Sequence, residues 1–432
     1  MKKFLQKVFS IKNDERCYKI ITFCGIKIKF TNLKKLVKQR LSNQVFELQR
    51  ICDLFQRRER VDNNLFTNLY LKLNYLENKD KSFNPTELFE KKIRPYNNCY
   101  LDSNNSYINL LFPNLEGTFD NTAKRENFAN FYYLCGIAGR NNHTVTISEA
   151  MKTGNKVYIF EDCFLRSIFS HVYKDVEDKY VKSIGFTIDD LTHYVDASLP
   201  SRLEQMLNDK DLIITNEQKA RARRCIDKIV STHLSKYNNQ PIYTPNIGRE
   251  GVPKILVIDQ SYGDYSIIKG RGSEEIFNLM LQKAIEENPD ADIIVKTHPD
   301  TMSGVRGGYY TGLKQEDNIY PMTEPINPIS LIQYCDKVYV CTTQFGLEAL
   351  MCNKEVHVFG VPFYQGWGLT IDEQICERRT NKRTIEELFY IAYIMYSHYV
   401  NPETESICEI EEAIDYLLKL REEFFTERCN EV

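Results

Sequence analysis

Four groups of polar residues could do chemistry, and each directly follows an apolar run that predicts a buried strand. The first is the adjacent pair Glu161 and Asp162, with Arg166 four residues after Asp162. Neighbouring carboxylates at the end of a buried strand are costly unless they are solvated, paired or functional. One of them could act as a general acid or base, with Arg166 holding an anion or setting a pKa. The alternative is a helix-capping acid beside a structural arginine.

The second group is the loop DQSYGDYSI, which follows the predicted strand KILVI. Asp259 ends that strand, where a carboxylate can simply cap the turn. Asp264 comes directly after a glycine, in a loop that we expect to approach the ends of the other strands. A carboxylate in that position can act as a nucleophile or as a base.

The third group, KTHPD, lies at the end of the predicted strand ADIIVK. Lys296 and His298 offer two donors to a phosphate or a carboxylate, and Asp300 completes the group. A single histidine is more often structural, but its position between a lysine and an aspartate favours a binding role.

The fourth group lies in the most unusual stretch of the chain, residues 337–370. The runs KVYVC and EVHVF predict two buried strands joined by a helix. A strand end that presents hydroxyls and free N–H groups at a helix start is a ready anion site. The polar residues at this junction are Thr342, Thr343, Gln344 and Glu348. The glycine- and aromatic-rich PFYQGWGLT follows, and its Tyr364 and Trp367 are candidate substrate contacts.

The elements that must position these groups alternate between strands and helices from about Pro95 onward. Two successive strand–helix–strand sets predict an α/β protein with two Rossmann-like domains facing a cleft, in which ligands bind at the carboxyl ends of the strands. We expect an extension at 1–92, an amino-terminal Rossmann-like domain with the acidic pair on the acceptor side at 93–245, and a nucleotide-sugar domain with carboxyl-terminal helices at 246–432.

The amino-terminal extension has a different character. Tyr18–Phe30 alternates about a glycine and predicts a hairpin, Leu41–Leu76 shows helical spacing, and Lys79–Glu90 is a plausible linker. Residues 1–40 hold 12 Lys or Arg against two acids, although the whole chain has a net charge of -3. This asymmetry predicts either contact with an anionic membrane surface or a solvated basic tail.

Other patterns exclude several classes of protein. The sequence has no phosphate-binding G-x-x-x-x-G-K-[ST] loop and no G-x-G-x-x-G after a strand, which argues against a P-loop nucleotidase and a dehydrogenase. It has no apolar run of about 18 residues, no secretory signal and no metal-ligand spacing. Its 13 scattered cysteines predict free thiols in a reducing cytoplasm. Carboxylates and an anion site without a metal suit glycosyl transfer from a nucleotide sugar.

Six strings, in this order along the chain, resemble the capsule polysaccharide β-Kdo transferases of the KpsC type. They are EDCFLRS, LSKYN, VIDQSYGDYSI, VKTHPD, TTQFGLEAL and VPFYQGWGLT. The resemblance covers about Asn130–Tyr399 and corresponds to one family module. It implies a GT-B fold, CMP-Kdo as donor, no other cofactor, no metal, and retention of the β configuration through a covalent glycosyl-enzyme intermediate.

The resemblance also implies roles for individual residues. Asp264 falls on the nucleophile, and Glu161 and Asp162 fall on the family's acidic pair, with Glu161 favoured as the acid/base. The positions implied to hold CMP are His298, Thr342 and Thr343. Those implied to lie near the phosphate or the sugar carboxylate are Lys296 and Arg166. Cys163 departs from the family's usual glycine after the acidic pair, which would strain the backbone if that position needs φ > 0.

The predicted protein is therefore a cytoplasmic capsule glycosyltransferase, peripheral to the inner membrane. Its predicted partners are CMP-Kdo or a related CMP-ulosonate, a lipid-linked glycan acceptor, the membrane surface and the capsule export machinery, without nucleic acid. Two alternatives stay open. One is an inverting CMP-sugar transferase that uses a carboxylate base, and the other is a non-catalytic polysaccharide-binding or export-coupling module.

Overall fold

The computed structural model describes residues 9–13, 18–23, 26–31, 63–96, 106–116, 129–136, 141–171, 173, 175–297 and 307–430. Among the predicted site residues, His298 and Asp300 lie outside this set, and so does most of the predicted helical stretch before residue 63. The chain divides into two compact units, residues 1–62 with 148–154, and residues 63–147 with 155–432.

The strands of the described residues are labelled in chain order. They are β1 (Phe9–Asn13), β2 (Tyr18–Phe23), β3 (Ile26–Thr31), β4 (Pro95–Tyr96), β5 (Phe131–Cys135), β6 (Val157–Asp162), β7 (Gly185–Asp189), β8 (Lys254–Ile258), β9 (Asp292–Lys296), β10 (Ile319–Met322), β11 (Lys337–Val340), β12 (Glu355–Val358), β13 (Ile371–Asp372), β14 (Ser397–Asn401) and β15 (Ser406–Cys408).

The α-helices are labelled in the same way. They are α1 (Asn63–Asn78), α2 (Thr86–Phe89), α3 (Asn141–Thr153), α4 (Asp178–Val181), α5 (Arg202–Asn208), α6 (Asn216–Ser231), α7 (Tyr265–Lys269), α8 (Glu274–Glu286), α9 (Pro328–Tyr334), α10 (Phe345–Met351), α11 (Ile385–Phe389) and α12 (Ile410–Asn430). A 3₁₀ turn at Ile108–Leu111 and a π-helix at Tyr390–Met395 complete the helical segments of the described chain.

The first unit contains a three-stranded antiparallel sheet in the order β1–β2–β3. Strands β2 and β3 pair in register from Tyr18 opposite Thr31 to Phe23 opposite Ile26. The predicted hairpin at Tyr18–Phe30 is therefore confirmed.

One sheet of the second unit is entirely parallel, in the order β10–β9–β8–β11–β12–β13. Its central strands β8 and β9 are buried at every position, as expected of parallel strands covered on both faces. Because parallel strands share a direction, the residues that follow β8, β9 and β11 meet at one edge. This sheet positions Asp259, Lys296 and Thr342 together.

The other sheet of this unit is mixed, in the order β15–β14–β7–β6–β5–β4. Strands β4, β5 and β6 are parallel, but β7 runs antiparallel to β6 and β14 antiparallel to β7. This sheet therefore departs from the parallel strand order of the Rossmann-like domain predicted here. Strands β14 and β15 come from the carboxyl-terminal part of the chain, so the predicted division at residues 245 and 246 does not separate the two sheets.

The segment predicted as a linker, Lys79–Glu90, is packed instead. Leu88 and Phe89 in α2 are buried, and Phe89 makes edge-on ring contacts with Phe112 and His398. The linker prediction is wrong because Phe83, Leu88 and Phe89 dock this otherwise polar segment on the core.

Helix α1 also packs on the second unit. Asn74 donates from its side-chain amide to the carbonyl of Asp190 across 2.6 Å. This contact gives the helix a packing role within the second unit, to which it belongs.

The cysteines differ in one respect from the prediction. Seven of those whose side chains are described are free thiols, but Cys135 at the end of β5 is disulfide-bonded. The expectation of free thiols throughout is therefore wrong at Cys135.

None of the helices in the described part of the chain combines the length and the hydropathy needed to cross a bilayer.

Candidate active site

Glu161, near the end of β6, is held in a fixed orientation. His193 Nε2 lies 3.1 Å from Glu161 Oε2, and the backbone N–H of Asp162 donates to Oε1 across 3.1 Å. The Nδ1 atom of His193 accepts the N–H of Val195, so the ring proton is assigned to Nε2 and points to the carboxylate. The Glu161 side chain is 17% exposed and His193 5%. Glu161 is thus oriented and still accessible, as an acid/base requires.

His193 is a site residue that the sequence did not reveal. It lies in the segment THYVD after β7, without a motif or a strand end directly before it. Its contact with Glu161 arises because β6 and β7 are paired antiparallel, with Glu161 opposite Thr187. No local pattern could have indicated this pairing.

Asp162 has a structural partner. Its Oδ2 accepts a hydrogen bond from Arg166 Nε across 2.6 Å, while Oδ1 is buried without a hydrogen-bond partner in the described structure. Arg166 is completely buried and also donates to Ser167 Oγ and to the carbonyls of Phe169 and Val181. The geometry therefore contradicts a role for Arg166 in binding phosphate or sugar carboxylate and assigns it to locking Asp162 and the following turn.

Cys163 does not strain the backbone. It is absent from the described non-glycine residues with positive φ, so this position does not need the left-handed conformation. Its Sγ lies 2.9 Å from the carbonyl of Leu165, and a Cβ built on Gly185 would lie only 2.1 Å from that sulfur. Burial raises the pKa of the Cys163 thiol to about 12. The thiol is therefore unreactive, and it packs against Gly185, where a larger side chain would not fit.

The two acids after β8 have different environments. Asp259 is fully buried and accepts N–H bonds from Gln260, Tyr309 and Tyr310, so it caps the turn as the sequence indicated. Asp264 is half-buried and is the N-cap residue of α7, where its Oδ1 accepts the N–H of Ser266 across 2.8 Å. Within the described residues its Oδ2 has no hydrogen-bond partner. Asp264 is the acid of this loop that can reach a ligand.

Thr342 and Gln260 join the carboxyl ends of β11 and β8. The amide nitrogen of Gln260 donates to Thr342 Oγ1 across 3.1 Å, and Gln260 Oε1 accepts the backbone N–H of Thr342 across 2.9 Å. A Cβ on Gly270 or Gly360 would lie 2.5 or 2.6 Å from the methyl group of Thr342, so both glycines allow close packing here. Thr342 is half-buried, and its hydroxyl contacts Gln260 directly after β11.

Thr343, next in the chain, accepts the N–H of Phe345 at its hydroxyl, and its carbonyl accepts the hydroxyl of Tyr364 across 2.6 Å. Tyr364 and Trp367 are completely buried, and the indole N–H of Trp367 donates to the carbonyl of Phe363. The expectation that Tyr364 and Trp367 contact substrate is not supported by this geometry. They stabilise the strand–helix turn from inside the protein.

Gln344 and Glu348 connect the two sheets rather than facing solvent. Gln344 Nε2 donates to the carbonyl of Phe164, two residues after the acidic pair. Glu348 accepts the hydroxyl of Ser235 across 2.6 Å and a longer bond from Gln344. Glu348 is 3% exposed, and burial raises its pKa to about 7. The substrate-binding role predicted for Glu348 therefore does not match its position.

Lys296 ends β9 at the same sheet edge as Thr342. Its side chain is largely buried, and Nζ donates to the carbonyl of Thr297 across 3.0 Å. Burial lowers the pKa of Lys296 to about 8, although the negative charge of Glu324 acts to raise it. His298 and Asp300 follow beyond the described residues, so their predicted roles stay predictions.

The loop with Asp264 and the loop with His193 are joined directly. Lys269, at the end of α7, donates to Asp196 Oδ2 across 2.9 Å, and its carbonyl accepts the N–H of Ala197. Tyr265, next to Asp264, packs on the small apolar cluster that contains Ile159 of β6. These contacts join the segment that follows Asp264 to the loop that carries His193 and to strand β6, which carries Glu161.

Comparison with known proteins identifies the family. A family model described as capsule polysaccharide biosynthesis protein matches residues 138–402. The chain belongs to this family. The matched region contains all the candidate site residues and nearly coincides with the stretch over which the motifs resemble the KpsC type, so that resemblance is confirmed.

Two curated family relatives are similar over parts of their length. The capsule polysaccharide modification protein LipA of Neisseria meningitidis is 40% identical over 265 residues, which are 57% of this chain and 38% of LipA. The lipopolysaccharide-processing protein LpsZ of Rhizobium meliloti is 34% identical over 266 residues, which are 61% of this chain and 59% of LpsZ. The chain thus spans less than two-thirds of the length of either relative.

A solved structure from the family is also similar. Thermosulfurimonas dismutans KpsC, described as a beta Kdo 2,4 transferase, matches with a TM-score of 0.60 and 34% identity. The match covers 66% of this chain and 86% of that one. The family member described here therefore has an α/β architecture of two sheets that is similar to that of KpsC.

Proposed function

We propose that this protein is a glycosyltransferase that moves Kdo, or a related ulosonic acid, from a CMP-sugar to a capsule glycan acceptor. The observation that carries the proposal is the contact between Lys269, at the end of the helix that Asp264 caps, and Asp196, in the loop whose His193 lies beside Glu161. The similarity to a solved protein described as a beta Kdo 2,4 transferase supports the same choice of sugar.

The proposed architecture is of the GT-B type, with the donor nucleotide on the parallel sheet and the acceptor beside the mixed sheet. The connections Gln344 to Phe164 and Lys269 to Asp196 support an arrangement in which both sheets contribute to one site. Such a site excludes water from the reacting carbon while leaving room for two substrates.

The proposed chemistry has two steps. In the first, an Asp264 oxygen forms a bond to the anomeric carbon of the sugar as the bond from that carbon to the phosphate oxygen breaks, and CMP leaves with the electron pair. In the second, an acceptor hydroxyl attacks the same carbon, the ester to Asp264 breaks, and Glu161 takes the hydroxyl proton. Two inversions give net retention, as in retaining glycosidases. His193 keeps Glu161 oriented for that proton transfer.

The departing CMP is a stabilised phosphate anion, which needs positive charge and hydrogen-bond donors more than a proton. The residues proposed to supply them are Lys296, His298, Thr342 and Thr343, with Asp300 beside them. The hydroxyl of Thr342 is already oriented by Gln260, which lowers the entropic cost of binding the nucleotide.

Incubation with CMP-Kdo and intact-mass measurement of the protein tests this function. We expect CMP release and a covalent adduct on Asp264, and a transfer product with the β configuration in the presence of acceptor. A product of inverted configuration without an adduct would favour the inverting transferase. Tight glycan binding without CMP release from any ulosonate donor would favour the non-catalytic module.

The proposed location is the cytoplasmic face of the inner membrane, near a lipid-linked acceptor and the capsule export machinery. The basic residues of segment 1–40 support this proposal, because each Lys or Arg near an anionic surface contributes about 1 kcal/mol of attraction. Deleting that segment should abolish co-sedimentation with anionic liposomes. Full sedimentation of the shortened protein would contradict the proposal.

A further inference from the structure

Lys236, in the motif LSKYN, has an ammonium group that forms no hydrogen bond and no ion pair with the described residues. It is half-buried, yet its Nζ has no hydrogen bond and no carboxylate oxygen within 4.0 Å among the described residues. Lysines in such positions usually form an ion pair, because burial without a partner is costly. The absence of one next to an acidic pair suggests that the partner arrives with the substrate.

The backbone of Lys236 is fixed close to the acidic pair. Its carbonyl accepts the N–H of Ser167, and Asn238 ties the same turn together by donating to the carbonyls of Ser167 and Ser235. The centre of the Tyr237 ring lies 6.0 Å from Lys236 Nζ and 5.8 Å from the Arg166 guanidinium. The Lys236 ammonium and the Arg166 guanidinium, which pairs with Asp162, therefore both lie near the ring of Tyr237.

Near the acidic pair, the charge of Lys236 is not neutralised by any described carboxylate within 4.0 Å. Arg166 already neutralises Asp162 at 2.6 Å, and Glu161 is held by a histidine whose proton is assigned to Nε2. Burial lowers the pKa of Lys236, but Tyr237, Tyr194, Asp162 and Glu161 together outweigh this and raise it overall. The ammonium thus stays charged at neutral pH. It therefore adds a positive charge near the acidic pair.

We propose that Lys236 forms a carboxylate subsite beside Glu161 that binds the acid group of a sugar acid at the reacting centre. This inference rests on the proposed function and adds the residue that recognises the carboxylate. In an ulosonic acid the carboxylate is attached to the anomeric carbon, so a sugar placed for attack near Glu161 brings its carboxylate to the same side. The carboxylate belongs either to the donor sugar or to a sugar acid at the end of the acceptor.

Kinetics of Lys236→Met identify the source of the carboxylate, because methionine keeps the length of the side chain and removes its charge. If the donor supplies it, KM for CMP-Kdo rises at least tenfold while inhibition by CMP alone is unchanged. If the acceptor supplies it, KM for the acceptor rises instead. Lys236→Arg should recover part of the loss. Lys228→Met is the matched control, since Lys228 pairs with Asp415 on the surface of α6.

A second measurement does not depend on turnover. Acetylation of the wild-type protein by an amine-reactive reagent, followed by peptide mass spectrometry, gives the reactivity of Lys236 and Lys228 separately. Saturating free Kdo should slow labelling of Lys236 at least fivefold and leave Lys228 unchanged, whereas neutral N-acetylglucosamine should protect neither.

The outcomes separate the two proposals. Turnover of CMP-Kdo with both KM values unchanged in Lys236→Met, and no protection by Kdo, would overturn the subsite while the proposed function stands. Protection of Lys236 without any turnover of CMP-Kdo would support the subsite and overturn the proposed function.

Discussion

Lys269 donates a hydrogen bond to Asp196 across 2.9 Å, and this ion pair connects the two halves of the candidate site. Lys269 ends the helix that Asp264 caps, while the N–H of Asp196 donates to the carbonyl of His193, which holds Glu161. The Lys269 side chain is 11% exposed and that of Asp196 is 1% exposed, so solvent screens the pair little. This ion pair, together with the hydrogen bond from the N–H of Ala197 to the carbonyl of Lys269, ties the helix capped by Asp264 to the loop that carries His193.

Asp264→Asn should separate the proposed role of Asp264 as the nucleophile from its role as a helix cap. Asparagine is as good an N-cap as aspartate, so α7 should keep its hydrogen bond from Ser266. We expect transfer from CMP-Kdo to fall at least about a thousandfold and the melting temperature to stay within about 2 °C, since only the attacking oxygen is lost. Activity assays with CMP-Kdo and thermal unfolding measure both quantities. Near-normal transfer would reject Asp264 as the nucleophile.

His193→Ala should reduce kcat with little change in the affinity for CMP. The substitution removes the donor to Glu161 Oε2 and leaves that carboxylate free to rotate. We expect a loss of about 10- to 100-fold in kcat, within the range of a general acid or base that is poorly positioned. His193→Gln, which can donate from a similar point, is the control and should recover part of the rate. Equal losses in both variants would indicate a structural role only.

Trp367→Phe should destabilise the protein without changing substrate affinity. The indole is fully buried, donates to the carbonyl of Phe363 and lies under the guanidinium of Arg379 at 5.6 Å. Removing it leaves a buried carbonyl unpaired and a cavity, at a cost of about 2–3 kcal/mol in the free energy of unfolding. Urea unfolding and steady-state kinetics test this. A higher KM for CMP-Kdo at unchanged stability would restore the substrate contact first predicted for Trp367.

Affinity for CMP should fall as the pH rises through 8 if Lys296 binds the phosphate. Burial lowers the pKa of Lys296 to about 8, so its ammonium is charged below that pH and neutral above it. The affinity for CMP should fall by at most about tenfold per pH unit, because one proton is linked to binding. The phosphate of CMP, with a second pKa of about 6, does not titrate in this range.

Calorimetric titration of CMP between pH 7 and 9.5 measures this effect. Lys296→Arg is the control, since a guanidinium stays charged and should remove the alkaline decline even if binding is weaker overall. The same decline in the arginine variant would show that another group is responsible.

Glu348→Gln should make stability less sensitive to pH. The pKa of Glu348 is raised by burial to about 7, so the folded protein holds this proton between pH 4.5 and 7 while the unfolded chain releases it. The folded state binds more protons there, and this group therefore makes the protein less stable as the pH rises to 7. Glutamine keeps the acceptor for Ser235 and does not titrate.

Between pH 5.5 and pH 8, the free energy of unfolding of Glu348→Gln should rise by about 2 kcal/mol relative to that of the parent protein. Urea unfolding at the two pH values gives the difference directly. Identical pH dependence in both proteins would mean that Glu348 is ionised in the folded state throughout this range.

The sequence by itself determined the strands that carry the site and the class of chemistry at their ends. Buried apolar runs such as KILVI and KVYV form strands wherever they are covered on both faces, so β8 and β11 were predictable from local pattern. The polar residues after them, Asp264 and Thr342 among them, indicated a site because strand ends in one parallel sheet meet at one edge. The ordered motifs also identified the family.

Only the tertiary structure decided which of those residues face the site and which are buried. Arg166, Glu348 and Trp367 occur in the same motifs as accessible residues, and burial cannot be read from residue type when a polar group finds its partner far along the chain. Glu348, for example, meets Ser235, more than a hundred residues earlier. The antiparallel pairing of β7 with β6, which brings His193 to Glu161, is likewise a long-range contact that no local periodicity encodes.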